Sequence, residues 1–486
     1  MADRTYGLVI GGETVEPDSR YDIINPATEQ VVAEAPEASV AQANAAVDAA
    51  ADALPAWSAT SPEERAALLE RAADLIDAAA EELVPLVQAE TGATYRVTKT
   101  IQVPQSAARL RRYARGALES RIISLEPAVM PTTALAPGGL ISAVGHRAPV
   151  GVVSCITSYN FPMVNMSGKI GPALAMGNTV VVKPAPQDPL AVIRMVELLN
   201  EAGFPPGVVN VVGGTGIPAS EAIVSHPRTD MISFTGSTGV GRRIGEVAGG
   251  DMKRLLLELG GKGACIVFDD ADLKAAIGGI TSVWGFHSGQ ICTAPTRVIC
   301  HRSVHDHLVA GLQQAAGYLK VGDPLAKDTV VGPVITSVHR ERILGYIQAG
   351  RDEGAEVAIG GGIPDGMDTG FYVEPTLLIG ADNSMTPVRE EIFGPVVVVV
   401  PFDDEDEAVA IANDSDFGLY SYVFSKDTAR AWSVAKRLRS GNVGINTLQR
   451  NHEAPFGGFK QSGVGRDGGS FGLHAYSELQ SIVWTS

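Results

Sequence analysis

The apolar positions of this chain change period along its length. In "SPEERAALLERAADLIDAAAEELVPLVQAETG" the residues Leu68, Ala72, Leu75, Ala79, Leu83 and Leu86 recur at helical spacing. Ser61 stands as N-cap, Pro62 at the first helical position and Glu64 three residues after the cap, so the stretch predicts one long amphipathic helix that opens with a capping box and stops at Gly92. From residue 150 the pattern shortens to β-branched runs, "GVVSCI", "NTVVVKP", "GVVNVVGG" and "DMISFTGS", each separated by the length a crossover helix needs. Strand and helix in alternation imply a parallel sheet covered on both faces, a nucleotide-binding type of lobe.

A second series follows "LLLELGGKGACIVFDDADL", with strand-like "EVAIGG" and "GPVVVVVPF" and helices near "DLKAAIGGITSVWGF" and "HRERILGYIQAG". The fold class is therefore α/β, with two lobes joined near residue 257. Two pieces fit neither lobe. The segment 129–149, "VMPTTALAPGGLISAVGHRAP", reads as two extended arms around a Pro-Gly-Gly turn, and the tail 476–486, "YSELQSIVWTS", reads as a strand. Exposed strands invite pairing, so both are candidate oligomerisation elements, or else a surface hairpin of the monomer.

At 486 residues the chain exceeds what one core usually supports, which agrees with two lobes. Its formal net charge of -17 is spread along the sequence and disfavours nucleic acid and anionic lipid as partners, leaving small-molecule ligands. No apolar run is long enough to span a bilayer, and the N-terminal residues lack a signal-peptide core. Four cysteines, Cys155, Cys265, Cys292 and Cys300, make no disulfide framework and no zinc-type pair, so the reading is a cytoplasmic protein without a metal.

Several residues are of types that carry chemistry. "MISFTGSTGVGRRI" sets Gly236, Gly239 and Gly241 between a strand and a helix, where backbone amides can approach a phosphate; a generic strand-to-helix turn reads equally well. Lys183 ends an apolar strand, at the edge where ligands bind in parallel sheets, or is a solvated strand-end lysine. Glu258, after three leucines and before two glycines, is a general base if buried, or a capping carboxylate. Asn160 in "SYNFP" is placed by Phe161-Pro162 to donate to an oxyanion, or merely satisfies a turn. Cys292 in "FHSGQICTAPTR" is a reactive thiol or inert packing.

Taken in order, "SYNFP", "VVVKPAPQDP", "FTGSTGVG", "LLLELGGK", "GQICTA", "EEIFGPV" and "APFGGFKQSGVGR" resemble the signature of the NAD(P)-dependent aldehyde dehydrogenase superfamily, nearly end to end. The resemblance implies an aldehyde dehydrogenase-like fold of two Rossmann-like α/β domains and a small β oligomerisation element. Residues 1–128 and 150–257 would bind coenzyme, 258–462 would be catalytic, and 129–149 with 476–486 would bridge subunits into a homodimer or homotetramer. Cys292 then falls on the nucleophile, Glu258 on the base, and Asn160 with the Cys292 N–H on the oxyanion donors. Ile156, Thr157, Tyr159, Lys183, Pro186, Gly236, Ser237, Gly239, Glu391 and Phe393 fall on the NAD or NADP site. Asn165, Gly168, Ile291, Thr293 and Phe456 fall on the aldehyde site.

Departures from the family pattern narrow these expectations. Pro186 stands where many NAD-preferring members carry a glutamate, so nothing there repels a 2'-phosphate. Ser158-Tyr159 replaces a usual Pro-Trp. The second glutamate of many relatives is matched to Ser470, which leaves Glu258 as the sole candidate base. Gly168, in place of a bulky aromatic, and Asn165 predict a wider and more polar substrate tunnel. "KPAPQDP" and "GRDGGSFG" look like the benzaldehyde and vanillin dehydrogenase branch and point first to an aromatic aldehyde. Arg450 and His452 are solvated loop side chains or ligands for an acidic semialdehyde. The alternatives are a semialdehyde dehydrogenase, a coenzyme-independent thiol acyl hydrolase, or a relative that passes its acyl group to coenzyme A.

Overall fold

The computed structural model describes residues 4–485. Its first large sheet runs in the order Glu13–Val15, Leu8–Ile10, Val209–Val211, Thr179–Lys183, Val152–Ile156, Met231–Thr235, Arg254–Glu258 and Gly463–Val464. The five middle strands are parallel, and the pairings at both ends are antiparallel. The chain starts at Val152–Ile156, moves outward through Thr179–Lys183 and Val209–Val211, then returns to add Met231–Thr235 on the other side. This reversal opens a crevice at the carboxyl ends of Val152–Ile156 and Met231–Thr235, the usual ligand position in such sheets.

The continuous apolar runs are explained by burial on both faces. Val180 and Val182 point into one core and Val181 into the opposite one; in the second sheet Val298 and Cys300 face one core and Ile299 another. That second sheet has the order Glu356–Ile359, Thr376–Ile379, Val396–Phe402, Arg297–His301, Ala264–Val267, Tyr420–Phe424 and Asn442–Ile445, parallel except for its first strand. The parallel strands run from three residues, Val209–Val211, to seven, Val396–Phe402, and most are apolar on both faces, as parallel sheets require.

The helical region before residue 92 differs from expectation. It forms two helices, Pro62–Ala78 and Ala80–Thr91, with a break at Ala79. Pro85 lies within the second; it offers no N–H and its ring presses on the carbonyl one turn back, so an unbroken helix through this stretch would be kinked. Ser61 accepts from the Glu64 N–H at 3.1 Å, but the reciprocal half of the capping box does not form. Gly92 ends the second helix with φ +68°, in the left-handed region that glycine favours.

The third element is a small antiparallel sheet. The long strand Gly139–Pro149 pairs with Ala128–Met130, with Ile122–Ser124 and, from Ile141 to Pro149, with the tail Ser477–Thr485. Val129, Leu479, Ile482, Val483 and Trp484 are exposed on it. No helix among the described residues is long and apolar enough to cross a membrane.

Candidate active site

Cys292 is positioned by an uncommon backbone. His287, Ser288 and Gly289 take φ of +47°, +55° and +71° in succession. Left-handed conformations are costly for residues bearing a Cβ and persist only where surroundings hold them. Here the Ser288 hydroxyl donates to the Gly332 carbonyl at 2.7 Å, the Gln290 carboxamide oxygen accepts from the Ile335 N–H at 3.0 Å, and the His287 ring packs on Phe161 at 5.2 Å. Gly289 must be glycine for a second reason, since a Cβ would overlap the Gly394 carbonyl. Of the four cysteines, Cys292 alone is not fully buried; Cys300 lies in the strand Arg297–His301, inert in a core.

A cavity of about 230 Å³ brings Cys292 together with Asn160, Glu258, Glu391 and Phe393, where the crevice of the first sheet meets the Cys292 loop. Glu258 is the last residue of a strand, not a helix cap. It is 5% exposed and neither carboxylate oxygen has a partner. Burial, with the charge of Asp467 adding to it, lifts its pKa to about 8 against the opposing pull of Lys169, Arg450 and Arg466. Burial also pushes the Cys292 thiol up to about 12, with the carboxylates of Glu391 and Glu258 in the same direction and Arg450 and its own backbone N–H against.

Asn160 is held in one orientation. Its side-chain oxygen accepts from the Ser158 hydroxyl at 2.8 Å and from the Asn165 amide at 3.3 Å, while its Nδ2 donates to the Gln290 carbonyl at 2.9 Å. An amide nitrogen carries two hydrogens, so one remains for a ligand in the cavity. Asn165 thus both lines the cavity and orients Asn160. Gln102 adds a donor to the Asn160 carbonyl at 3.2 Å; it ends a π-helical turn, Thr98–Gln102, that precedes the helix Val103–Ala117.

The residues matched to coenzyme divide between two places. Tyr159, Gly236, Ser237, Glu391 and Phe393 line the cavity. Ile156, Thr157, Lys183 and Pro186 lie outside its lining, at or just beyond the carboxyl ends of their strands. The Lys183 ammonium donates to the Gly214 carbonyl at 3.0 Å, and burial lowers its pKa to about 8. Glu391 accepts from the Gly261 N–H at 2.9 Å through one oxygen; a Cβ on Gly260 would overlap the other. Phe393, at φ +59°, is kept there by the His339 ring, which donates to its carbonyl at 2.8 Å, and by edge-on contact with Tyr159 at 5.9 Å.

Gly239 and Gly241 of the strand-to-helix turn do different work. Ser237 caps the helix Thr238–Gly250, and Gly239 faces open space that a Cβ would begin to fill. A phosphate fits such a cradle, against free helix N–H groups. Gly241 instead packs on Leu259, whose methyl a Cβ would overlap. Gly241→Ala is therefore expected to lower stability by about 1–3 kcal/mol through overpacking, read as a lower urea midpoint, whereas Gly239→Ala should leave that midpoint unchanged.

Three expectations need correction. The carboxylate missing at Ser470 is present at Asp467, which lines the cavity; Ser470 instead sits with Arg112 and Glu119. Glu258 is thus not the only acidic candidate. Gly168 does not widen the tunnel: its missing Cβ is the space taken by the Arg109 guanidinium, which a side chain there would overlap. Arg450 is no solvated loop residue, since it lines the cavity and stacks on Phe456 at 3.7 Å. His452 is exposed and borders only the adjoining cavity. Ile291, Thr293 and Phe456 line the cavity as expected. Arg109, His339 and Arg342 were not anticipated; for Arg109 a signal existed in the i, i+3 repeat of Arg109 and Arg112 on one helix.

The chain was compared with known proteins. Residues 14–482 match the aldehyde dehydrogenase family. The chain is 38% identical over 480 residues to 2-aminomuconic semialdehyde dehydrogenase of Danio rerio, covering 98% of this chain and 97% of that one. It superposes with a TM-score of 0.93 on betaine aldehyde dehydrogenase of Staphylococcus aureus in complex with NAD+, at 36% identity over 99% of this chain and 95% of that chain. An E. coli NADP-dependent enzyme gives a TM-score of 0.94 at 33% identity, covering 99% and 98%. With a family match over nearly its whole length and a nucleophile loop, buried carboxylate and oriented amide around one cavity, this chain belongs to the aldehyde dehydrogenase family.

Proposed function

We propose that this NAD(P)-dependent aldehyde oxidoreductase works through Cys292 as nucleophile, Asn160 and the Cys292 N–H as oxyanion donors, and Glu258 as the base of hydrolysis. The observation that carries this reading is the cavity that the one partly accessible cysteine shares with an oriented amide and an unpartnered buried carboxylate. Cys292 sulfur adds to the aldehyde carbon, and the spare Asn160 hydrogen and the Cys292 N–H take the oxygen that becomes negative. Once loss of hydride leaves the thioester, Glu258 in its ionised form, the minor fraction at pH 7, withdraws a proton from the attacking water. Release of the acid returns the thiol.

NAD or NADP fits beside this centre: Ser237 and the helix behind it suit the pyrophosphate, Lys183 the adenosine ribose, and Glu391 with Phe393 the nicotinamide ribose. When bound, the coenzyme supplies a cationic ring that favours thiolate nearby and takes the substrate's hydride. Pro186 places no carboxylate against a 2'-phosphate, so both coenzymes are expected to serve. A thiol acyl hydrolase would have no use for this second half of the crevice.

The exposed apolar strand Ser477–Thr485 supports association of this chain with copies of itself as a homodimer or homotetramer. Four free thiols support a reducing, cytoplasmic setting. The test of the function is the growth of reduced-coenzyme absorbance when an aldehyde is added with NAD or NADP. Formation of free acid without coenzyme A is expected. Turnover of activated esters with no coenzyme reduction by any aldehyde would overturn the reading.

The relatives are named for different aldehydes, a muconic semialdehyde and a betaine aldehyde, so the chain's own residues decide the substrate class.

A further inference from the structure

Three arginines line the cavity that holds Cys292, of which Arg342 already donates to the Tyr346 hydroxyl and the Glu391 carbonyl. Arg109 arrives from the helix Val103–Ala117 through the space that Gly168 leaves, and it uses one hydrogen bond, to the Val164 carbonyl at 2.9 Å. Arg450 comes from the opposite side, flat on the Phe456 ring at 3.7 Å. Among the described residues neither arginine has a carboxylate within ion-pair distance, although Asp467 lines the same cavity. Asp467 offsets part of the charge on Arg450 without pairing with it, and the repulsion left between the two arginines is one that a ligand's anionic group would relieve.

A second observation points the same way. An adjoining cavity of about 320 Å³ shares Arg109, Arg450 and Asp467 with the first. Its other lining includes Arg112, which is paired with Glu453 and Glu119, together with Arg115 and His452. In a protein of net charge -17 this is a basic recess. It leads toward Cys292 and would draw anions out of an otherwise repelling surface.

We propose that Arg109 and Arg450 form a carboxylate clamp, that Gly168 is the specificity-determining position that admits Arg109, and that the aldehyde oxidised here carries an anionic carboxylate. This rests on the reading of the site given above and adds the substrate class to it. The planar forks of the two arginines suit the two oxygens of a carboxylate, and stacking on Phe456 holds Arg450 in place. The same face would reject a cationic aldehyde and leave a neutral one without its anchor. Arg109 and Arg450 are thus binding residues that stand apart from the steps performed by Cys292, Asn160 and Glu258.

The test compares 4-oxobutanoate with butanal, and 4-carboxybenzaldehyde with benzaldehyde, in the wild type, Arg109→Met, Arg450→Met and Gly168→Ala. The wild type is expected to favour each carboxylated aldehyde over its neutral analogue by at least tenfold in kcat/KM, with the preference shrinking as salt is raised. Each arginine variant should raise KM for the acids by roughly 10- to 100-fold and change kcat/KM for butanal and benzaldehyde far less than for the acids. Gly168→Ala, which displaces Arg109 without removing it, should reproduce the Arg109→Met effect. A wild type that oxidises the neutral aldehydes as well as the acids overturns the clamp while leaving aldehyde oxidation standing. Arginine variants that weaken acids and neutral aldehydes equally do the same. Failure to oxidise any of the four aldehydes overturns the site reading beneath it.

Discussion

Glu258→Gln is expected to reduce about one equivalent of coenzyme per subunit in a rapid burst and then to stall, with steady-state turnover down by about 10²- to 10⁴-fold. Glutamine keeps the volume and removes the base, so addition of the Cys292 sulfur proceeds while water is no longer activated. The pH dependence carries the same assignment. Because burial raises Glu258 to about 8, its basic form grows as pH rises, and wild-type turnover should climb through about pH 8 and then level. In Glu258→Gln that inflection should be gone. A variant that keeps both turnover and inflection would move the role to Asp467, the other carboxylate lining the cavity.

Cys292→Ala should abolish oxidation, with a loss of about 10⁴-fold or more, since no other group in the cavity can hold the acyl intermediate. Coenzyme affinity, measured by quenching of intrinsic fluorescence, should stay close to wild type, because the residues fitted to coenzyme do not include the thiol. Stability should change little, for the side chain is only partly buried and the strained turn before it is held by Ser288, Gly289 and Gln290. Alternative thiols are unavailable: Cys155, Cys265 and Cys300 are buried, and burial pushes each of their pKa values upward. Residual activity near wild type would contradict the mechanism at its first step.

How much of this was legible in the sequence follows from physics acting at different ranges. Strands such as Thr179–Lys183 and Val396–Phe402 are buried on both faces, so their uninterrupted apolar runs announced a parallel sheet. The break at Ala79 was not legible, because helical spacing continues through it and Pro85 acts from six residues on. Within the site, Cys292, Glu258 and Asn160 were found only as members of an ordered set of motifs. Each alone had an ordinary structural reading. Asp467 was missed because the second carboxylate was sought three residues later, at Ser470. Gly168 was read as empty space. A vacancy is visible in sequence, but what fills it, here a side chain from a helix nearly sixty residues away, is a tertiary fact.

The most direct test of the central claim is the intact mass of Glu258→Gln after mixing with coenzyme and an aldehyde that the wild type oxidises. The account predicts a mass gain equal to the acyl group, carried by the peptide containing Cys292 and removed by hydroxylamine. No gain despite a burst of coenzyme reduction, or a gain on any other residue, would contradict it.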